Sequence, residues 1–244
     1  MKNLAVDLHI HTAFSPCASE AMTPVVIVRT AIGEGFDMIA ICDHNSAGNV
    51  RATQEAARGN IAVLAGMEIA TSEEAHVIGL FPDATAACTT GEEVRSGLPE
   101  LSQAGSGFGE QLLMSTSGQT LGTETRMLSA ASAFGLRNTI KLIKKYHGLA
   151  IAAHLDRPSF SIISQLGMLP VNTDLDAIEI SAATAVASRA GEFMSFGLPV
   201  LTSFDSHFLS DVGSCRTIFE MLGVMFGELA LALRGVAGRR LHCA

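Results

Sequence analysis

Charged residues are scarce in this sequence, and basic residues are the scarcest. Asp, Glu, Lys and Arg make up 16% of its 244 residues, against roughly 25% in a typical soluble domain, so Ser, Thr, Gly and Ala must cover much of the surface. The 16 Lys and Arg against 24 Asp and Glu give a formal net charge of −8. Duplex nucleic acid gripped through a basic face is therefore not an expected partner, although bound metal cations can reverse the field locally.

Long apolar runs and regularly spaced cysteines are also lacking. No uninterrupted apolar segment approaches the roughly 18–20 residues that span a bilayer, and the first residues reach Asp7 and His9 too early for a secretory signal peptide. The five cysteines form no Cys-x-x-Cys pair and are odd in number, which favours a reducing compartment over a disulfide framework. We therefore expect a cytoplasmic protein with no membrane partner.

Short apolar segments alternate with helical ones along most of the chain, of which 48% is hydrophobic. Strands are predicted at residues 4–10, 37–42, 61–69, 75–81, 149–154, 176–181 and 199–204, with helical segments between them and a final helix at 217–234. Near-continuous apolar strands separated by helices are typical of a parallel sheet covered on its outer face. The sequence thus predicts an α/β fold, a regular or distorted (β/α) barrel, in a single domain over 1–244.

The stretch from 83 to 130 interrupts this alternation. It is rich in Gly, Ser, Thr and Ala and has weak periodicity. Because loops of this length are usually functional or mobile, we expect an insertion or lid here. A surface excursion without a role is the alternative.

Histidines and carboxylates cluster in or just after the predicted strands. They are Asp7, His9, His11, Asp43, His44, Glu68, His76, His154, Asp205 and His207. In a parallel barrel the carboxyl ends of the strands meet at one mouth, so these side chains should converge.

The spacing of these residues is suited to metal binding. Residues i and i+2 of a strand point to the same side, so His9 and His11 can bind one ion together, and Asp205 and His207 can do the same. Imidazole and carboxylate ligands suit zinc, manganese and iron, and Glu68 can bridge two ions. Any single strand histidine can be a structural residue, but a structural role explains the whole set poorly.

Six motifs resemble those of the PHP (polymerase and histidinol phosphatase) family, in the order in which that family has them. They are DLHIHT (7–12), ICDHN (41–45), GMEIAT (66–71), HVIGLF (76–81), AAHLDRP (152–158) and FDSHF (204–208). The resemblance implies a distorted (β/α)7 barrel with two to three divalent ions. It places the first ion on His9, His11, Glu68 and Asp205, the second on His44 and His207, and the third on Glu68, His76 and His154. It makes Asp7 and Asp43 groups that orient neighbouring imidazoles.

The sequence departs from this family at one position. Several PHP relatives carry a His or Asp ligand to the second ion about five to seven residues after the His-x-His pair, where this sequence has SPCAS (15–19). Cys17 is the candidate ligand, and Glu20 is the nearest carboxylate. A thiolate would favour a softer ion such as zinc or Fe(II), whereas a small loop residue without a ligand role is the alternative.

The resemblance implies a metal-dependent phosphoesterase that hydrolyses a phosphate ester with a metal-bridging water or hydroxide. Arg157 is a candidate phosphate clamp, or else a surface arginine paired with Asp156, and Asp205 is a candidate proton acceptor. The expected partner is a small phosphorylated substrate, a nucleotide or short oligonucleotide. The alternatives are a histidinol-phosphate-type phosphatase, an amidohydrolase-like enzyme and a metal-binding module without catalysis.

Overall fold

The computed structural model describes residues 1–101 and 109–242. Residues 102–108 of the predicted insertion, and Cys243 and Ala244 at the end of the predicted domain, lie outside the described residues. The strands are β1 (Lys2–Ile10), β2 (Met38–Ile41), β3 (Ala62–Ala70), β4 (His76–Phe81), β5 (Leu112–Met114), β6 (Thr120–Thr123), β7 (Leu149–Ala152), β8 (Ala177–Ser181), β9 (Val200–Ser203), β10 (Thr217–Met221) and β11 (Arg240–His242). The helices are α1 (Pro24–Gly33), α2 (Val50–Ala57), α3 (Ala84–Arg95), α4 (Leu136–Lys145), α5 (Ile162–Leu166), α6 (Ala182–Val186), α7 (Ala190–Met194) and α8 (Phe226–Leu233).

Nine of the strands form one sheet that curls into a nearly closed barrel, in the order β11-β10-β1-β2-β3-β4-β7-β8-β9. The chain just beyond β9 meets the end of β1, where His11 N donates to Ser206 O at 3.0 Å and Ser206 N donates to His9 O at 3.1 Å. The predicted α/β barrel with outer helices is confirmed. The sheet is mixed, however, because β4 runs antiparallel to both β3 and β7, and β10 runs antiparallel to β1.

Two apolar layers hold the barrel together. One fills the interior with residues such as Leu64, Ile78 and Phe219. The other lies between the sheet and the helices, where Ile27 of α1 and Ile140 of α4 are buried. Successive side chains of each strand point alternately into these two layers.

Strand β10 corrects the prediction of one long final helix at 217–234. Residues 217–221 form a strand, and α8 begins only at Phe226. In β10, buried Thr217, Phe219 and Met221 alternate with half-buried Ile218 and Glu220. This period of two suits a strand paired with β1, and an apolar helix directly after it hid the change of period.

The first part of the predicted insertion also differs from expectation. Asp83 caps α3 by accepting hydrogen bonds from Thr85 N and Ala86 N, and the helix buries Ala87 and Val94 in the layer outside the sheet. Residues 84–95 therefore belong to the barrel wall. The helical period was obscured by Thr and Gly, which lower helix propensity.

Further along this segment, β5 and β6 form a hairpin that is tied to the barrel. Asn49 Nδ2 donates to Leu112 O at 3.0 Å, and Met114 N donates to Asn49 Oδ1 at 2.8 Å. Asn45 Nδ2 donates to both Leu128 O and Ala130 O at 2.8 Å. In the described part of the chain, no helix is long and apolar enough to cross a membrane.

Candidate metal centre

A cavity of about 250 Å³ opens at the end of the barrel where β3 and β7 finish. Its lining residues are Cys17, His44, Glu68, His76, Ser129, His154, Arg157, Ser159, Phe160, Asp205 and His207. His9 and His11 are fully buried and contact Glu68 and Asp205 directly. The structure thus brings together all nine residues predicted as metal ligands.

His76 reaches this cavity by a different route from the one predicted. The expectation of convergence rested on the carboxyl ends of parallel strands, but His76 is the first residue of β4. Because β4 runs opposite to β3, its amino end lies at the same rim as the carboxyl end of β3, and His76 pairs in register with Ala70.

Glu68 lies at the centre of the cluster. Its Oε1 is 2.9 Å from His76 Nδ1 and 3.0 Å from His154 Nε2, and its Oε2 is 2.9 Å from His44 Nδ1. Burial alone would raise the pKa of this carboxyl, but the imidazoles of His76, His9 and His44 hold it well below its usual range. Glu68 is therefore a carboxylate placed to reach more than one ion.

A second group of ligand atoms lies deeper. His9 Nε2 and His11 Nε2 are 3.1 Å apart, and Asp205 Oδ1 is 3.3 Å from the first nitrogen and 3.0 Å from the second. Asp205 Oδ1 and Glu68 Oε2 are buried, and their nearest polar neighbours are imidazole nitrogens. Buried carboxylate oxygens that face several imidazole nitrogens fit a site for a cation.

The ligand atoms form three overlapping sets that could each hold an ion. They are His9, His11, Glu68 and Asp205; His11, His44 and His207; and His44, Glu68 and His76. His154 contacts Glu68 at the edge of the third set. The His/Glu/Asp clusters can therefore hold divalent metal, and the chemistry of the donors suits zinc, manganese or iron.

Cys17 lines the cavity beside the second set, whereas Glu20 is exposed and does not line it. Burial raises the pKa of the Cys17 thiol, but hydrogen bonds to the imidazoles of His207 and His44 outweigh burial and lower it to about 7. A thiol with this pKa supplies a thiolate ligand near neutral pH.

Two of the ligand residues have unusual backbone conformations. His154 has φ +29° and Asp205 has φ +65°, in the left-handed region that residues with a Cβ rarely adopt. Such strain persists where the surrounding structure fixes it, and it is common at functional sites.

A layer of polar residues contacts the candidate ligands from behind. Asp43 accepts hydrogen bonds from Thr12 and from Ser15 Oγ at 2.7 Å, and Ser15 Oγ lies 2.9 Å from His11 Nδ1. Asp7 instead accepts from the backbone N of His9 at 3.1 Å, and burial raises the pKa of its carboxyl to about 7. Of the two predicted orienting residues, Asp43 therefore acts on an imidazole through a hydroxyl and Asp7 acts on the backbone.

Glu179 completes this layer and was not predicted. Both of its oxygens lie 3.1 Å from His9 Nδ1, and Oε1 also accepts from His154 N at 3.2 Å. The sequence did carry one indication, since Glu179 is a lone acid in the otherwise apolar β8 segment AIEIS.

Arg157 points into the cavity. Its Nη1 lies 2.5 Å from Asp205 Oδ2, and its Nη2 donates to Phe204 O at 3.2 Å. The alternative pairing with Asp156 is wrong, because Asp156 accepts hydrogen bonds from Ser181 and Thr184.

A model of the PHP domain family matches residues 7–175, which include seven of the nine candidate ligands. The chain belongs to the PHP family. Its barrel and its clusters of His, Glu and Asp are those of a PHP domain, and they agree with the fold implied by the sequence motifs.

Two relatives show how far the sequence similarity extends. A 5′-3′ exoribonuclease from Haemophilus influenzae is 31% identical over 83 residues, which cover 32% of this chain and 29% of the relative. An uncharacterized protein from Methanocaldococcus jannaschii is 27% identical over 187 residues, covering 72% of this chain and 81% of the relative. The chain therefore spans less than a third of the exoribonuclease.

Solved structures share the PHP fold. The lesion-specific endonuclease Q from Pyrococcus furiosus has a TM-score of 0.72 at 18% identity, over 98% of this chain and 58% of that chain. An amidohydrolase from Chromobacterium violaceum has a TM-score of 0.60 at 21% identity, over 85% and 89% of the two chains. A proposed metal-dependent phosphoesterase from Bifidobacterium adolescentis has a TM-score of 0.56 at 17% identity, over 83% and 87%.

Endonuclease Q has also been solved with a 27-mer duplex that carries an abasic lesion at its active site. Its substrate contrasts with the expectation, drawn above from net charge, that duplex nucleic acid is not a partner. At this level of identity the likeness shows a shared fold.

Proposed function

We propose that this PHP domain is a metal-dependent phosphoesterase that hydrolyses the phosphate ester of a nucleotide or a short oligonucleotide. The observation that carries the proposal is one cavity lined by two buried carboxylates, four imidazoles and a single guanidinium, with the imidazoles of His9 and His11 directly beneath. Membership of the PHP family supports it.

The chain's own residues fit two to three ions. His9, His11, Glu68 and Asp205 would hold one, His44 and His207 with Cys17 a second, and Glu68, His76 and His154 a third. Bound divalent ions lower the pKa of a coordinated water and neutralise phosphate oxygens. The convergence of buried carboxylate oxygens and imidazole nitrogens is the observation that makes this donor set fit.

Arg157 would bind the substrate phosphate. In this structure its guanidinium is paired with Asp205 Oδ2, and a planar donor fork of this kind matches two phosphate oxygens equally well. Asp205, freed from that pair, is placed to accept a proton from the attacking water. Although burial alone would raise it, the imidazoles of His9 and His11 help hold the pKa of Asp205 well below its usual range, so the carboxylate is ionised at neutral pH.

The charge at the cavity supports a short substrate. Among the described residues that line it, Arg157 is the one Lys or Arg, whereas a long nucleic acid is held by several cationic contacts along its backbone. One guanidinium suits the terminal phosphate of a nucleotide or short strand.

The test is phosphate release from nucleoside monophosphates, sugar phosphates including histidinol phosphate, and short single-stranded oligonucleotides, with a lesion-containing duplex and an amide or lactone panel alongside. We expect Arg157→Ala to lower kcat on phosphate esters by roughly 10²–10³-fold, with partial rescue by Arg157→Lys. Arg189→Ala is the matched control, because Arg189 is an exposed residue paired with Glu192.

One outcome would refute the role of Arg157, and two others would contradict the proposed reaction or substrate. Equal turnover of phosphate esters by the wild type and Arg157→Ala would show that Arg157 does not bind the substrate phosphate. Turnover confined to amides or lactones would point to an amidohydrolase-like reaction. Turnover confined to the lesion duplex would show that the charge argument fails and that the likeness to endonuclease Q extends to the substrate.

A further inference from the structure

Phe160 lines the metal cavity in a position that nothing assigned above explains. Its ring stacks on the candidate ligand His76, with the ring centroids 5.0 Å apart and the planes 13° from parallel. The side chain is nevertheless 47% exposed. One face of the ring is therefore covered by the imidazole, and the rest is open to the cavity and solvent.

The backbone holds Phe160 in this position at some cost. Its φ is +58°, a conformation that is rare for a bulky residue. His76 N donates to Phe160 O at 2.8 Å, and Phe160 directly precedes Ser161, the cap of α5, whose Oγ accepts from Ser164 N at 3.0 Å. Strain kept by such anchors is typical of functional positions.

The same anchors tie Phe160 to Arg157. Ser161 Oγ donates to Arg157 O at 2.8 Å, so that the guanidinium and the aromatic ring belong to one fixed loop between β7 and α5. An open aromatic face beside a phosphate-binding group is the arrangement that a nucleotide requires, because every base has a π-face that can stack on an aromatic side chain.

We infer that Phe160 is a stacking platform for the base of the substrate, and that the substrate is a nucleoside monophosphate or the terminal nucleotide of a single strand. The phosphate lies toward Arg157 and the metal ligands while the base covers the open face of Phe160. This inference rests on the proposed phosphoesterase function. It adds to that function the residue that recognises the base, and it narrows the nucleotide substrate to one with a single exposed base at the reacting phosphate.

The experiment compares two ligands that differ only in the base. They are the phosphonate analogues of AMP and of ribose 5-phosphate, in which a methylene group replaces the ester oxygen and hydrolysis is prevented. Binding to the manganese-loaded protein is measured by calorimetry for the wild type, Phe160→Leu, Phe160→Tyr and Phe196→Leu. Phe196 is the control, a partly exposed aromatic residue outside the cavity.

We expect the wild type to bind the AMP analogue roughly 5- to 100-fold more tightly than the ribose analogue, as one base stacked on an aromatic ring provides. Phe160→Leu should lose that preference while its affinity for the ribose analogue is kept, Phe160→Tyr should retain it, and Phe196→Leu should match the wild type. Circular dichroism checks that each variant is folded.

Two results would overturn the inference. If Phe160→Leu weakens the binding of both analogues equally, Phe160 supports His76 and does not bind the base. If the wild type shows no preference for the base, there is no platform, yet hydrolysis of ribose 5-phosphate by the same protein would leave the phosphoesterase function standing. Failure to bind either analogue, together with no phosphate release from any ester, would refute both proposals.

Discussion

Glu179 gives the sharpest test of how this site is built, because it is buried behind the candidate ligands and does not itself line the cavity. Its carboxylate contacts His9 Nδ1 through both oxygens at 3.1 Å and accepts from His154 N at 3.2 Å. A carboxylate in this position fixes the ring of His9 so that Nε2 faces the ion, and makes the imidazole a stronger donor.

The change to test is Glu179→Gln, which keeps the shape of the side chain and removes its charge. One of the two oxygens becomes an NH₂ group, which donates and cannot accept. The remaining oxygen cannot accept from both His9 Nδ1 and His154 N in the way that the two carboxylate oxygens do. Loss of such a partner behind a metal ligand typically weakens metal binding by about 10–100-fold, which corresponds to about 1.4–2.7 kcal/mol.

The assay is competition for zinc or manganese between the metal-free protein and a chromophoric chelator, read as an apparent dissociation constant. Glu192→Gln is the matched control, since Glu192 is exposed and its carboxylate bonds only to Arg189 among the described residues. Thermal unfolding of the metal-free variants checks that the barrel is intact. Unchanged metal affinity in a folded Glu179→Gln protein would refute the account of how His9 is held.

Four further predictions concern the metal, the barrel and acid pH. Removing metal with a chelator should lower Tm by about 5–10 °C, since a ligand at 100 times its Kd stabilises by about 2.7 kcal/mol; an unchanged melting curve would argue against binding to the folded state. Cys17→Ser should weaken zinc binding more than manganese binding in the chelator assay, and equal effects would count against a thiolate ligand. Gly66→Ala should lower the free energy of unfolding in urea by about 1–3 kcal/mol, because the new Cβ would lie 2.7 Å from Cys42 Sγ and 2.9 Å from a backbone oxygen of β2. If the variant is as stable as the wild type, β3 can shift to make room for the methyl group. Burial raises the pKa of Asp156, but its hydrogen bonds outweigh burial and lower the pKa, so that as pH falls this carboxyl is protonated first in the unfolded chain. The stability that Asp156 provides should therefore be present above roughly pH 4 and lost as pH falls further. In urea titrations at pH 3–6, the free energy of unfolding of Asp156→Asn should depend less on pH than that of the wild type.

Much of the site could be predicted because strand ends carry its ligands. His9, His11, Glu68 and His154 lie at carboxyl ends of strands that run the same way, and a barrel brings such ends together whatever their distance in sequence. His76 was included because it lies in a predicted strand, although that strand, β4, runs opposite to its neighbours. A single reversed strand leaves no mark on hydrophobic periodicity, because alternation is the same in both directions.

The parts that were missed depend on contacts between distant segments. Glu179 acts through His9, 170 residues away, and Ser129 enters the cavity wall because Asn45 binds the backbone on both sides of it. Spacing along one strand cannot indicate either arrangement. Strand β10 was missed because its pairing partner, β1, lies at the opposite end of the sequence, and because an apolar helix follows β10 closely.

Whether the cluster is a metal-dependent phosphoesterase centre is tested most simply by measuring phosphate release. The metal-depleted protein is assayed before and after addition of manganese, zinc or Fe(II), with His11→Ala as the blank. We expect the metal-free protein to be inactive, at least one ion to restore turnover of a nucleoside monophosphate, and His11→Ala to stay inactive while remaining folded. If the wild type binds these ions at the cluster and releases no phosphate with any of them, the cluster is not a phosphoesterase centre.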